Sequence, residues 1–420
     1  MPTTAGLGTP RRRRPKDRKE QIARVAAEAF SELGYHGVSM EDIAGRVGVT
    51  AASLYRHYAG KYDLFQAAVL GLGQQLVDCT AFVDGVAFAD SEISGSPEQA
   101  WDQMVAAMVD VALANRVSGG LYRWEGRFLK PGDQLTLNAQ IKLVNRRLQR
   151  PMAHLRPELG SRQLAILSAA VLSVLGSVTD HRTQLPREQI HATLARVAKT
   201  VRDTDVPAGT GAPGTVAARP AVGAAAGEYE QILHHAKVLF HERGYRDTAM
   251  EDIAAAVGVT TSSMYRFFVG KSAILTAMYL RAADRVSGDT AGIVSAADNP
   301  RDAVEALVQA YVRRSFDDPE LSYVYYAERV NVPSQDLFAI ANIQRATVEA
   351  WARQISATTP GLSGGEARFI VHAGFSLSAD MVRLLAHRQT KSARTTVCGL
   401  VLRALLGPAA PAEHARDKAN

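Results

Sequence analysis

The chain has 420 residues, 47% of them apolar, with a formal charge of +6 and a sequence pI near 9.3. That length suits two to four domains with real cores and excludes a chain too polar to fold. Two lone cysteines, Cys79 and Cys398, exclude a disulfide framework or a cysteine zinc site. No apolar run of eighteen residues and no signal-peptide pattern appears, so the expectation is a soluble, cytoplasmic protein without a membrane partner. The basic balance suits a nucleic-acid partner.

The first fifteen residues are polar, Pro-containing and basic, and are expected to form a disordered arm. Arg12, Arg13 and Arg14 in it are candidates to enter a DNA minor groove, a solvated tail being the alternative. Residues 22–61 then recur without a gap at residues 232–271, an offset of 210, with about half the positions identical. Met40-Glu41-Asp42-Ile43-Ala44 returns as Met250-Glu251-Asp252-Ile253-Ala254. A period that long means a duplicated domain rather than a solenoid unit.

Inside the repeat, Ile43, Ala44 and Val47 share one helix face. Ser39-x-x-Asp42 fits a capping box at its start. Gly48 suits a left-handed stop, and Thr50 suits the N-cap of a second helix expected to run to about Tyr58, with Leu54 turned back on the first. Ala254, Gly258 and Met264 repeat the spacing. Two helices joined by so short a turn are the DNA-binding helix-turn-helix.

Further helices are expected over 61–86, 97–116, 119–128, 133–155, 161–182 and 187–201. The second copy follows with 271–288, 300–316, 319–330, 334–357, 363–388 and 393–406. No period-2 strand stands out. Residues 205–227 are rich in Ala, Gly, Pro and Thr and read as a flexible linker, and 407–420 should fray. The domains are therefore heads at 16–63 and 228–273, and helical regulatory domains at 64–204 and 274–406. The small-residue helices 161–182 and 363–388 are expected to pack together as an internal pseudo-dimer.

The repeated stretches resemble the TetR family of bacterial transcription regulators. The matching positions include Ile22, Ala26, Phe30, Gly34, Tyr35, Met40, Ala44, Gly48, Leu54, Tyr55, Arg56, Lys61 and Leu64, and their partners from Ile232 to Leu275. Two repeats in one chain look like the less common tandem members. The resemblance implies an all-α fold of two TetR-like repeats. Each would be a three-helix head followed by a ligand-sensing, dimer-type bundle. It also places Ser53, Tyr55, Lys61, Ser263, Tyr265 and Lys271 on phosphates.

The residues themselves specify the partner as a double-stranded DNA operator. The first turn of a recognition helix lies nearest base edges, here Thr50, Ala51, Ala52 and Ser53, and Thr260, Thr261, Ser262 and Ser263. Arg56 and Arg266 are the long donors, able to fork onto guanine or to lie on phosphate. His57 reads equally as a surface residue or a phosphate contact, and Phe267 in its place cannot donate. From Arg11 to Lys61 there are eleven Lys/Arg against six Asp/Glu, whereas from Val222 to Lys271 there are five against six. Head one should therefore be the stronger reader. Two arrangements stay open: both heads read DNA, or only head one does. Further self-association on DNA is also open.

Helical bundles hold small molecules in their cores. The candidates for a small apolar effector (a lipid, an acyl thioester or a steroid) are Met104, Met108, Trp124, Phe128, Leu148, Met152 and His181 in copy one. In copy two they are Tyr323, Tyr325, Tyr326, Trp351, Phe369, His372, Phe375 and Met381. Each is otherwise a plain core residue. No cofactor, metal cluster, catalytic triad or phosphate loop stands out, so the expectation is a regulator, a repressor as most such proteins are, and not an enzyme.

Overall fold

The structure, a computed structural model, describes residues 15–86, 88, 96–210, 227–385 and 390–408. The expectations for the arginines of the arm, for most of the linker and for the tail lie outside these residues. Among the described residues every regular element is a helix. Head one comprises α1 (Pro15–Gly37), α2 (Met40–Val47), α3 (Ala51–Leu54) and the start of α4 (Lys61–Thr80). Its bundle adds α5 (Pro97–Ala114), α6 (Leu121–Trp124), α7 (Pro131–Leu155), α8 (Ser161–Gly176) and α9 (Arg187–Arg202). Copy two repeats the order with α10 (Glu228–Arg243), α11 (Met250–Val257), α12 (Thr261–Met264) and α13 (Lys271–Ala296). There follow α14 (Pro300–Asp317), α15 (Pro319–Ala327), α16 (Ser334–Thr358), α17 (Gly364–Leu385) and α18 (Lys391–Leu406).

Local chemistry sets these boundaries. Pro97 and Pro300 open α5 and α14 at the position where a missing N–H costs nothing. The two bundles keep register at an offset of 203: α5 and α14, α7 and α16, and α8 and α17 each begin 203 residues apart. The heads stand 210 apart, so copy two is seven residues shorter between the starts of α13 and α14 than copy one between those of α4 and α5. Copy one breaks α4 at Thr80 into the 3-10 turn Ala81–Gly85. Copy two runs straight on. Gly288 was expected to end that helix and does not, because Thr290 beyond it is buried and accepts from Trp351 Nε1 at 3.0 Å. One exposed helical glycine costs only about 1 kcal/mol, which tertiary packing outweighs.

The linker expectation also needs correction at its start. Asp205 pairs with Arg156 at 2.8 Å, Val206 is buried, and Thr210 shares hydrogen bonds with Thr396 and Ser392 of α18 at 2.8 and 3.2 Å. Residues 205–210 are thus docked across both copies rather than loose.

The expected pseudo-dimer is present. Helices α8 and α9 pack on α17 and α18, and one apolar core runs through both bundles, from Trp101 and Leu167 to Phe369 and Leu400. The stretch Ser161–Thr179 is long and apolar enough to cross a membrane, but most of it is buried in this seam. Each head keeps a separate small core, around Ile22, Phe30 and Leu54 or Ile232, Phe240 and Met264.

An ion cluster sits inside the seam. Arg123 donates to Asp180 of its own copy at 2.9 Å and to Asp380 of the other at 2.6 Å, with its side chain 5% exposed. Ser173 donates to Asp380 and Ser376 to Asp180, each at 2.7 Å. Burial alone would raise the Asp380 carboxyl, but Arg123, then Arg383 and Ser173, outweigh it and hold it below its usual range. For Arg123 burial is likewise outweighed by Asp180 and Asp380, and its guanidinium is held above the usual value. Removing the shared cation strands two buried carboxylates. Arg123→Ala should therefore cost about 3–5 kcal/mol in chemical denaturation. The loss should be larger at alkaline than at mildly acidic pH, where a proton can replace the arginine.

Candidate functional site

Both heads are built the same way. At Ser39 the capping box is complete: Ser39 Oγ accepts from Asp42 N at 3.1 Å, and Asp42 Oδ2 accepts from Ser39 N at 2.9 Å. Ala249 has no hydroxyl, so head two keeps only the return bond, Ala249 N to Asp252 Oδ2 at 2.7 Å. Gly48 (φ 73°) and Gly258 (φ 81°) turn the chain left-handed. Thr50 and Thr260 then cap α3 and α12 by accepting from Ser53 N and Ser263 N at 3.3 and 3.2 Å. Leu54 and Met264 are fully buried, as expected.

The recognition helix is shorter than expected. After Leu54 the ladder tightens, with His57 N bonding to Leu54 O at 2.8 Å, so regular α-helix ends there and Tyr58 closes a turn. Thr50, Ala52, Tyr55 and Arg56 face solvent with Thr260, Ser262, Tyr265 and Arg266, while Ala51, Ser53, His57, Thr261 and Ser263 are half-buried. Tyr55 and Tyr265 are 52% and 53% exposed, although a tyrosine ordinarily hides its ring.

Three features separate the heads or revise the expected contacts. Arg266 leans on Glu228 at 3.4 Å. The matching residue of head one is Arg18, which donates to Gln21 at 2.9 Å, and among the described residues no carboxylate pairs with Arg56. The lysines do not project outward. Lys61 Nζ donates to Val38 O at 2.9 Å and Lys271 Nζ to Thr248 O at 2.6 Å, each over a tyrosine ring. Burial, then Arg246, lowers both ammonium groups. The carbonyls of the turn between the first two helices need donors, and these lysines supply them.

Each head is seated by both copies. Glu125 Oε2 accepts from Tyr35 N, and Glu328 Oε1 accepts from Tyr245 N, each at 3.0 Å. Arg127 of copy one crosses to Glu328 of copy two at 2.6 Å. Gly34 (φ 72°) breaks α1, and a Cβ there would lie 3.1 Å from Val330 of copy two. At Gly34 the left-handed backbone and this close approach together demand glycine. Gly244 (φ 89°) is left-handed too, with Glu328 of its own copy and Arg127 and Phe128 of copy one at ordinary contact distance, 3.9–4.0 Å from a Cβ there. Burial pushes the Glu125 carboxyl up to about 7, against the pull of the Tyr35 amide and Arg127.

A cavity of about 1040 Å³ lies in the bundle of copy two and reaches the copy boundary. Of the expected ligand residues, Tyr325, Tyr326, His372 and Phe375 line it, and Trp124 and His181 enter it from copy one. The others do not. Met104, Leu148, Met152, Trp351, Phe369 and Met381 are filled core, and Phe128 stacks on Tyr35 at the head. Tyr323 sits between Trp124 and His241 at the boundary. Copy one has at Met108 only a void of about 40 Å³.

The bacterial regulatory protein family tetR has a domain model that matches this chain twice, at residues 22–68 and 232–278. The chain thus carries two tetR-family domains in tandem, one at the head of each copy. It is 40% identical over 58 residues to the transcriptional activator FasR of Mycolicibacterium smegmatis, covering 14% of this chain and 26% of that one. Over 82 residues it is 34% identical to the transcriptional repressor KstR2 of Rhodococcus jostii, covering 20% and 40%. The chain thus spans well under half the length of these curated relatives. The solved ketosteroid regulator KstR2 of Mycobacterium tuberculosis aligns with 43% of this chain and 94% of its own, at 20% identity and a TM-score of 0.39.

The tetR-type pattern located the heads, but not what seats them. Glu125, Arg127 and Glu328 lie in ordinary-looking helical sequence, and Tyr311, which also lines the cavity, was not among the candidates. One signal was available: the 203-residue register sets Tyr311 opposite Met108. The Glu125 site gives a pH prediction. Unfolded, this carboxyl titrates near 4.5, and folded at about 7. Its contribution to stability is full below the lower value and is lost as pH rises through the upper one. Glu125→Gln keeps an acceptor for the Tyr35 amide and removes the titration. Between about pH 5 and pH 8 the unmodified protein should lose roughly 1–3 kcal/mol relative to the variant, read from melting curves.

Proposed function

We propose that this chain is a sequence-specific DNA-binding transcriptional regulator, a repressor released by a small effector, with one chain contacting two non-identical half-sites of an operator. The observation that carries the reading is the paired heads. Each presents a Thr-capped recognition turn with a solvent-facing tyrosine and arginine, and the two are joined in one chain by the seam that replaces a dimer interface. Thr50 to Ser53 and Thr260 to Ser263 lie nearest base edges, and Tyr55 and Tyr265 with the backbone amides at the starts of α4 and α13 fit phosphates. The differing pairs Ala51-Ala52 and Thr261-Ser262 call for differing half-sites. The cavity of copy two supports effector control, which requires an occupant that binds the DNA-competent and released states unequally.

The Arg266–Glu228 contact favours a second reading, in which copy two seats and senses while head one does most of the DNA reading. An operator selected from a random duplex library separates the two. On it, complex mass and a footprint should show one chain over two half-sites, whereas two chains on a simple palindrome would refute the first reading. Arg56→Ala should cost roughly 1–3 kcal/mol of affinity and relax one base position. Arg266→Ala should cost less, since binding must first break its contact with Glu228. Equal losses would remove the case for unequal heads.

A further inference from the structure

Resting on the effector-controlled reading above, we infer that the chain holds one ligand, in the cavity of copy two. That ligand is an apolar body with an anionic end, and it acts on head one across the copy boundary.

The single site follows from the asymmetry of the bundles. Copy two encloses about 1040 Å³, while the corresponding region of copy one is filled to a void of about 40 Å³. At the 203-residue register Tyr311 stands where copy one has Met108. Met108 is buried in packed core, whereas Tyr311 keeps part of its surface turned to the cavity. A filled core offers a ligand nothing to displace.

The chemistry of the occupant follows from the lining. The inner wall is aromatic: Tyr311, Tyr325, Tyr326 and Phe375. Against it lies His181, only 6% exposed and stacked on His372 at 4.1 Å. His181 Nδ1 accepts from Thr183 N at 3.2 Å, which leaves the proton on Nε2. That Nε2 is buried and has no partner, and a buried donor without an acceptor is costly. Burial holds both imidazoles neutral, His372 down at about 4, so the pair offers a hydrogen bond rather than a charge. The charge is at the rim. Arg182, Arg285, Arg329 and Arg345 line the cavity, and no carboxylate among the described residues pairs with them. The lining acids Glu32, Glu349 and Asp180 are each committed to another arginine, Arg46, Arg368 and Arg123, and the fourth, Glu125, accepts from the Tyr35 amide and is pushed up to about 7 by burial. A largely aromatic interior without charge and an unneutralised cationic rim together select an anionic amphiphile.

The wiring follows from which residues share the cavity wall. Ser31 and Glu32 of α1 line it, as do Arg329 and Val330 of the turn after α15. Val330 is the residue packed on Gly34, where α1 breaks, and Ser31 donates to Val117 O at 2.8 Å at the same place. An occupant therefore touches the back of head one and the residue that wedges its hinge. Head two is reached through its own α13 and through α15, whose Leu321 and Tyr325 line the cavity and pack on that head's core, whereas no residue of α10 lines the cavity. The residues of copy one that touch head two's Gly244, Arg127 and Phe128, do not line the cavity.

Calorimetry on the full chain tests the site with dodecanoate, dodecanoyl-coenzyme A and the neutral dodecanol. One mole of an anionic probe should bind per chain, and dodecanol should bind at least roughly tenfold more weakly. Binding by only one of the two anionic probes identifies the source of the charge. Val348→Trp, which fills the cavity from α16, should abolish binding with the melting transition retained. Arg285→Ala with Arg345→Ala should weaken only the anionic probes. Two sites per chain, equal binding of dodecanol, or no binding of any probe overturns the proposal. Hydrogen exchange tests the wiring without DNA. The bound probe should protect residues 31–35 of head one more than residues 241–245 of head two, and equal or absent protection refutes the cross-copy route. A chain that binds probe as described yet never binds DNA would overturn the regulator reading and leave this site standing.

Discussion

One buried guanidinium decides how the two copies lie. Arg123 sits where α8 and α17 cross, and its two carboxylate partners come from opposite copies. Neither copy alone can bury that set of charges, because each would strand part of it. A sheet of apolar contacts can slide, since one aliphatic pair is nearly as good as the next. A buried ion cluster cannot, because a shift of a few ångströms leaves charges unpaired in a medium that solvates them poorly. The apolar seam supplies the adhesion, and the cluster fixes the register.

That register is felt at the heads. Glu125 and Glu328 reach the broken ends of α1 and α10, and Arg127 connects one of these seats to the other copy. The heads have their own small cores and are attached to the bundles through few elements: the fourth helix of each copy, the short helices α6 and α15 packed on the first helices, a carboxylate on a backbone amide, and side chains set against a glycine. An element held that way has a small number of discrete positions rather than a continuum, as expected of a switch built on packed surfaces. Because Val330 and the Arg127–Phe128 pair come from the opposite copies, moving one bundle against the other disturbs both heads at once.

Helix positions were legible in the sequence because their signals are local. A Ser or Thr before each turn, a glycine after α2 and α11, and prolines at the starts of α5 and α14 act within a few residues, and the structure follows them. Local reasoning failed where distant packing decides. Gly288 looked like a stop, but buried Thr290 and its bond to Trp351 carry α13 past it. Val206 and Thr210 looked like linker, but Val206 is buried in the core and Thr210 finds partners on the far copy. The ligand candidates show the same limit: aromatic and methionine side chains can fill space or line it, and the choice belongs to neighbours hundreds of residues away. Nor can a pattern show which carbonyls lack donors, as with those that Lys61 and Lys271 reach.

Joining two heads through an intramolecular seam changes how occupancy depends on amount. Two separate subunits must first meet, and at low copy number the pair comes apart, so DNA occupancy then follows the square of subunit concentration. Here the second half is tied by the chain and docked by residues 205–210, and its effective concentration does not fall when the protein is diluted. Occupancy should then rise with the first power of protein level, down to a few molecules per cell. Such a device trades the sharp threshold of an assembling dimer for a graded response that holds at very low abundance.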